Sequence, residues 1–206
     1  MTDTKSKILE ESKILFFQQG IANTRLQQIA DATGISVGNL AYHFKNKESI
    51  VEAVYENLFV DLSTILSKFI LFDTLEGFDK QFSDLYYFFE QNSFTFNNIW
   101  EIERNHPDIQ KEWLKAMNKL LLQIKKRIDH CTQAGILKTE NNKGDYELLA
   151  QNLLLIINSW IPQQMLRKKQ VSEALYKKSI WSLIYPLLTS KGKSAFLQNI
   201  VPNQFM

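Results

Sequence analysis

Cysteine is nearly absent from this chain: Cys131 stands alone among 206 residues, so no disulfide can close within it, and the composition fits a reducing compartment. As a small apolar side chain, Cys131 is expected in a core. Seven glycines and four prolines are too few to punctuate the many turns of an all-β fold, and the long stretches free of both read as helices. No stretch holds the roughly 18 consecutive apolar residues of a membrane span. The opening MTDTKSK also lacks the apolar run of a signal peptide. A cytoplasmic protein without a membrane partner is expected.

Neither sign of charge is in excess. The net charge is +2, and the first fifty residues carry six Lys or Arg against five Asp or Glu. Any nucleic-acid binding must therefore come from where donors are placed. Reactive groups are equally sparse. The chain has no glycine-rich phosphate loop, no Ser or Cys nucleophile with a convincing base and no paired metal ligands; His106 and His130 read as ordinary polar residues. Neither an enzyme, a cofactor nor a metal site is expected. What remains is an all-α chain whose 45% apolar content is ample for a sizeable core.

The most informative stretch is residues 29–44, IADATGISVGNLAYHF. It reads as two short helices pinched at Thr33-Gly34-Ile35, the second beginning at Ser36. Two helices crossing steeply need a small residue at the contact and a turn residue free to take positive φ, places filled by Ala30 and Gly34. Ile29, Ile35 and Leu40 then face inward, and Ser36, Val37, Asn39, Tyr42 and His43 face solvent.

From residue 8 to residue 50 the chain resembles the amino-terminal DNA-binding domain of TetR/AcrR-type regulators. Leu15-Phe16, Gly20, Thr24, Ile29-Ala30, Gly34, Ser36, Gly38, the Tyr42-His43-Phe44 triplet and Lys47-Glu48 carry the likeness. The resemblance implies a helix-turn-helix domain over 1–45, then a helical ligand-binding and dimerisation domain over 46–206. It also implies a homodimeric, ligand-responsive regulator, most often a repressor, on a pseudo-palindromic duplex operator. The second helix would enter the major groove, which admits a helix and shows a distinct edge for each base pair. There Gly38 permits close approach, Asn39 reads an adenine edge or holds a phosphate, and Val37 offers apolar contact. Tyr42, His43 and Lys47 are the expected phosphate partners, with Arg25 and Asn39 as further contacts. A helical interaction protein that has lost DNA binding is the rival reading, discriminated by whether any duplex is selected.

Taken in order, a first helix from about Asp3 or Thr4 to Gln19 buries Ile8, Leu15 and Phe16. Thr24 reads as the N-cap of a helix over 25–32, and the resemblance implies an added phosphate role. Asn46 reads as the N-cap of a helix of about 25 residues ending near Phe69, the link between domains. Residues 71–100 are rich in aromatics, which either fill a core or line a cavity for an apolar or aromatic effector. Phe82, Tyr86, Phe89, Trp100, Glu101 and Trp113 are the pocket candidates. A helix over 107–135 and a polar loop over 138–144 come next. Helices over 145–167 and 171–189 are apolar on more than one face. Their stripe of Tyr146, Leu149, Leu153, Ile157, Trp160, Ile180, Leu183, Ile184 and Leu187 is the expected dimer interface, a four-helix bundle with its symmetry mates. Residues 190–206 read as a loosely packed tail.

Overall fold

The computed structural model describes residues 3–68, 74–93, 102 and 104–200. Among the described residues regular structure is helical, and a single antiparallel bridge, Leu137 to Leu188, stands outside the helices. The chain gathers into two compact units, residues 1–62 with 92–114 and residues 63–91 with 115–206.

The first unit opens with α1 (Thr4–Gln19), whose Ile8, Ser12 and Phe16 recur every four residues and are buried. Gly20, at φ 83°, stops the helix. Next come α2 (Leu26–Thr33) and α3 (Val37–His43), then α4 (Lys47–Lys68). The start of α4 is set by Asn46, as its sequence suggests: the Ser49 amide donates to Asn46 Oδ1 at 2.9 Å, satisfying a main-chain donor that the helix leaves free. Ile50, Val51, Val54 and Leu58 of α4 join the buried core of this unit. By compactness the unit thus extends past the functional boundary expected at 45/46.

The second unit contains α5 (Leu75–Gln91), the later part of α6 (Pro107–Gln133), α7 (Asp145–Leu166), α8 (Glu173–Ile184) and α9 (Ser190–Asn199). Its core is built on aromatic rings. Phe78 lies 4.5 Å from Phe82, Phe82 meets Trp181 edge-on at 5.8 Å, and Trp181 meets Phe196 at 5.0 Å. Such pairs add roughly 0.5–1.5 kcal/mol each beyond the area they bury. Asp79, Lys177 and Trp181 form a buried polar cluster: Lys177 Nζ is 2.5 Å from one Asp79 oxygen, and the indole donates to the other at 2.8 Å.

Two expectations are corrected here. The helix expected over 171–189 ends at Ile184 and gives way to a 3-10 turn, Tyr185–Leu187, because Pro186 brings no amide to the α-helical ladder. The tail is not loose over its first part. Thr189 caps α9 by accepting from the Gly192 amide, and its own hydroxyl donates to the Gly135 carbonyl at 2.7 Å. Gly192 packs so tightly that a Cβ there would lie 2.2 Å from the Ile136 oxygen. Residues 201–206 lie outside the described residues.

The expected dimer stripe divides by burial. Leu153, Ile157, Ile180 and Ile184 are buried inside the protomer, and Tyr146, Leu149, Trp160, Leu183 and Leu187 are half-buried. The apolar residues left exposed on these helices are Leu148, at 60%, Leu155, at 62%, Leu166 and Leu175, with Met165 less so.

Candidate nucleic-acid interface

The face expected to meet DNA is held from behind. Ile29, Ala30 and Leu40 are fully buried where α2 and α3 belong to one core, and Ile35 is half-buried. Gly34 takes the left-handed conformation, φ 77° and ψ 32°, and the Ile35 amide reaches back to the Ala30 carbonyl at 3.0 Å. This return closes α2 with a residue that has no Cβ to clash, and it aims the chain into α3. Ser36 then caps α3 by accepting from the Asn39 amide at 3.1 Å, which fixes the angle at which the helix leaves the turn.

With Leu40 locked inward, the helical period turns the other side chains out. Ser36, Gly38 and Asn39 are exposed, Val37 and His43 are half-buried, and Tyr42 is 86% exposed. Tyr42 and His43 meet edge-on with centroids 5.3 Å apart, so each restrains the other. The polar heads of Ser36, Asn39, Tyr42 and His43 thereby share one helix and its cap.

Around α3 the structure redistributes the expected roles. Thr24 is not the N-cap of α2: it is 1% exposed, and its hydroxyl donates to the Gly20 carbonyl at 2.8 Å. Arg25 occupies the cap position, exposed, with its amide donating to Gln28 Oε1 at 2.8 Å. The Arg25-to-Gln28 spacing of three is the sequence signal that could have shown this. Gln28 and Gln19 also pair side chain to side chain, at 3.1 Å from Gln19 Nε2 to Gln28 Oε1, tying α1 to the start of α2.

Lys47 does more than sit at a helix start. Its ammonium donates to the carbonyls of Ile21 at 2.7 Å and Ala22 at 3.2 Å, bracing the link between α1 and α2. Lys7 does the same for α2, donating to the Thr33 carbonyl at 2.7 Å, where a cation meets the negative end of the helix. Neither brace was legible beforehand, since each joins residues 25 or 26 apart.

The family profile described as "Bacterial regulatory proteins, tetR family" matches residues 8–54, and that described as "Bacterial transcriptional repressor" matches residues 62–196. Together they take in the helix-turn-helix and most of the second unit. The chain belongs to the TetR family.

Among curated TetR-type relatives, the HTH-type transcriptional regulator TtgR of Pseudomonas putida is 34% identical over 56 residues, 27% of each chain. The HTH-type transcriptional repressor KstR2 of Rhodococcus jostii is 36% identical over 58 residues, 28% of each. The matches thus span little more than a quarter of the length of these relatives. Solved structures carry the likeness across the fold. A TetR-family regulator from Marinobacter aquaeolei VT8 superposes with a TM-score of 0.81 at 22% identity, over 96% of this chain and 98% of that one. The TetR-family regulator PfmR of Thermus thermophilus gives 0.71 at 19% identity, over 86% and 97%.

The TetR-type pocket candidates fall in different places. Phe82, Tyr86 and Phe89 are buried on α5 in the second unit. Trp113 belongs to the first unit, its ring 6.5 Å from that of Phe59. Trp100 and Glu101 lie outside the described residues. Burial pushes the Tyr86 hydroxyl well above the usual tyrosine range, helped by its bond to the Glu90 carboxylate at 2.6 Å. Among the described residues no group of His, Cys, Asp and Glu could hold a metal ion, and no helix is long and apolar enough to cross a membrane.

Proposed function

We propose that this TetR-family chain acts as a homodimeric repressor that sets α3 of each copy into the major groove of a pseudo-palindromic operator and is regulated by an apolar or aromatic effector. The observation that carries the reading is Tyr42, held 86% exposed beside Asn39 and His43 on a helix whose opposite face is sealed by Leu40. Gly38 brings the backbone near the base edges, Asn39 reads a base and Val37 adds apolar contact. Ser36, Arg25, Tyr42, His43 and Lys47 engage the sugar-phosphate rails, which position the helix without reading sequence. Thr24 serves by anchoring Arg25, since its hydroxyl is already engaged by the Gly20 carbonyl.

The second copy docks on the exposed stripe of α7 and α8, Leu148, Leu155 and Leu175, flanked by Tyr146, Leu149, Trp160, Leu183 and Leu187. Two-fold symmetry then sets the half-site spacing. An effector in the second unit favours one spacing of the reading helices, and by linkage the operator weakens effector binding as much as the effector weakens operator binding.

Selection of a random duplex library with the purified protein tests this. Enrichment of two inverted half-sites about one helical turn apart, or a multiple of it, is the expected result. Enrichment of no sequence would contradict it.

A further inference from the structure

Gln81, on α5 in the second unit, is 1% exposed. Its Nε2 donates to Gln123 Oε1 at 2.9 Å, and Gln123 Nε2 donates in turn to the main-chain carbonyl of Leu66 at 2.7 Å. A main-chain carbonyl can only accept. Leu66 therefore decides which end of the Gln123 amide faces it, Gln123 must offer its oxygen to Gln81, and Gln81 must answer with its nitrogen. The relay commits both amides and leaves Gln81 Oε1 as the uncommitted end. Among the described residues that oxygen has no hydrogen-bond partner.

Buried amide oxygens are nearly always paired, and an orphan is disfavoured. A flip of Gln81 cannot relieve this one, because it would set two oxygens against each other at Gln123. Buried Phe78 and Phe82 neighbour Gln81 on α5, and the apolar body of the partner comes from the effector reading above. The buried carboxylate of the same helix, Asp79, is already engaged by Lys177 and Trp181, which argues against a cationic one.

Resting on the effector reading above, we infer that Gln81 Oε1 is the polar anchor of the effector site, and that the effector is an uncharged, largely apolar molecule presenting one O–H or N–H donor. Such a molecule satisfies the oxygen as it buries its apolar body. An otherwise identical molecule with the donor capped would seal the oxygen off unpaired, which is how a single buried polar group discriminates strongly.

The test uses the full chain without DNA and two probes of nearly equal shape, 4-phenylphenol and its methyl ether, titrated by intrinsic tryptophan fluorescence. The phenol is expected to bind about tenfold or more tightly than the ether. Gln81→Met should remove that preference by weakening the phenol alone. Gln123→Leu, which frees the Gln81 amide to turn, should reduce it as well. Equal binding of the two probes, a preference that survives Gln81→Met, or binding of neither overturns the inference. Operator release by the phenol is measured separately. A donor preference without release leaves the anchor standing and removes the regulatory reading, whereas release by a compound without donor preference does the reverse.

Discussion

At Gly38 an added methyl would meet only the Ser36 hydroxyl, 3.8 Å away, an ordinary contact. The residue lies inside α3, where glycine is worse than alanine by about 0.8–1.0 kcal/mol. Gly38→Ala should therefore raise the stability measured by urea denaturation by up to about 1 kcal/mol while weakening operator binding, because the methyl stands between backbone and base edges. Loss of stability would mean that Gly38 serves the fold instead. Lys47 is the opposite case, a residue with both duties. Removing its ammonium from the Ile21 and Ala22 carbonyls should cost on the order of 1 kcal/mol in a denaturation experiment. If the same ammonium also lies on a phosphate, Lys47→Ala lowers the slope of log affinity against log salt by about one. An unchanged slope would make it a brace alone. Of the residues singled out for DNA contact, those of α3 and its cap were legible because one local pattern places them. Lys47 was read less well because its partners, the Ile21 and Ala22 carbonyls, lie 26 and 25 residues away, whereas Thr24 was misassigned although its Gly20 partner, four residues back, and the Arg25-to-Gln28 spacing are both local.

Among the helices, α7 and α8 show why a two-faced apolar pattern is hard to assign. Both stripes satisfy helical spacing, and only the position of the neighbouring helix decides which is the protomer's own core. Tyr176 marks the side that won: it is fully buried, donates to the Ile157 carbonyl at 3.0 Å and meets Trp160 edge-on at 5.8 Å. Burial raises its hydroxyl pKa well above the ordinary value of about 10. The sign of the pH dependence comes from that direction. Below about 10 the contribution is present in full; above it the unfolded chain ionises while the folded one does not, and stability falls. Urea midpoints should therefore decline between about pH 9 and 11, more shallowly in Tyr176→Phe, with Tyr86 supplying a remaining part of the same sign. An equally steep decline in the variant would contradict this. α9 was missed for a different reason. Its cap residue Thr189 was assigned to the preceding helix, and its anchor, the Gly135–Ile136 turn, lies more than fifty residues earlier.

For the molecule as a whole, the fold class was readable from composition and the family and helix-turn-helix from residues 8–50, while the proposed pairing of two copies rests on side chains that only the fold reveals as exposed. Leu155→Glu places a charge on the proposed stripe, 62% exposed in the protomer, where burial of an unpaired charge is strongly disfavoured. Sedimentation should show dimer converting to monomer with helical circular dichroism retained, and operator affinity should fall at least about tenfold as binding drops to one half-site. A dimer of unchanged strength would move the interface elsewhere. The central claim, that the outward face of α3 reads base sequence, is tested most directly by base-preference profiling. Wild type and Asn39→Ala are each measured against every single-base variant of the selected operator. Preference is expected to collapse at one symmetry-related position in each half-site, by about 1–3 kcal/mol, and to persist elsewhere. A profile unchanged at every position would contradict it.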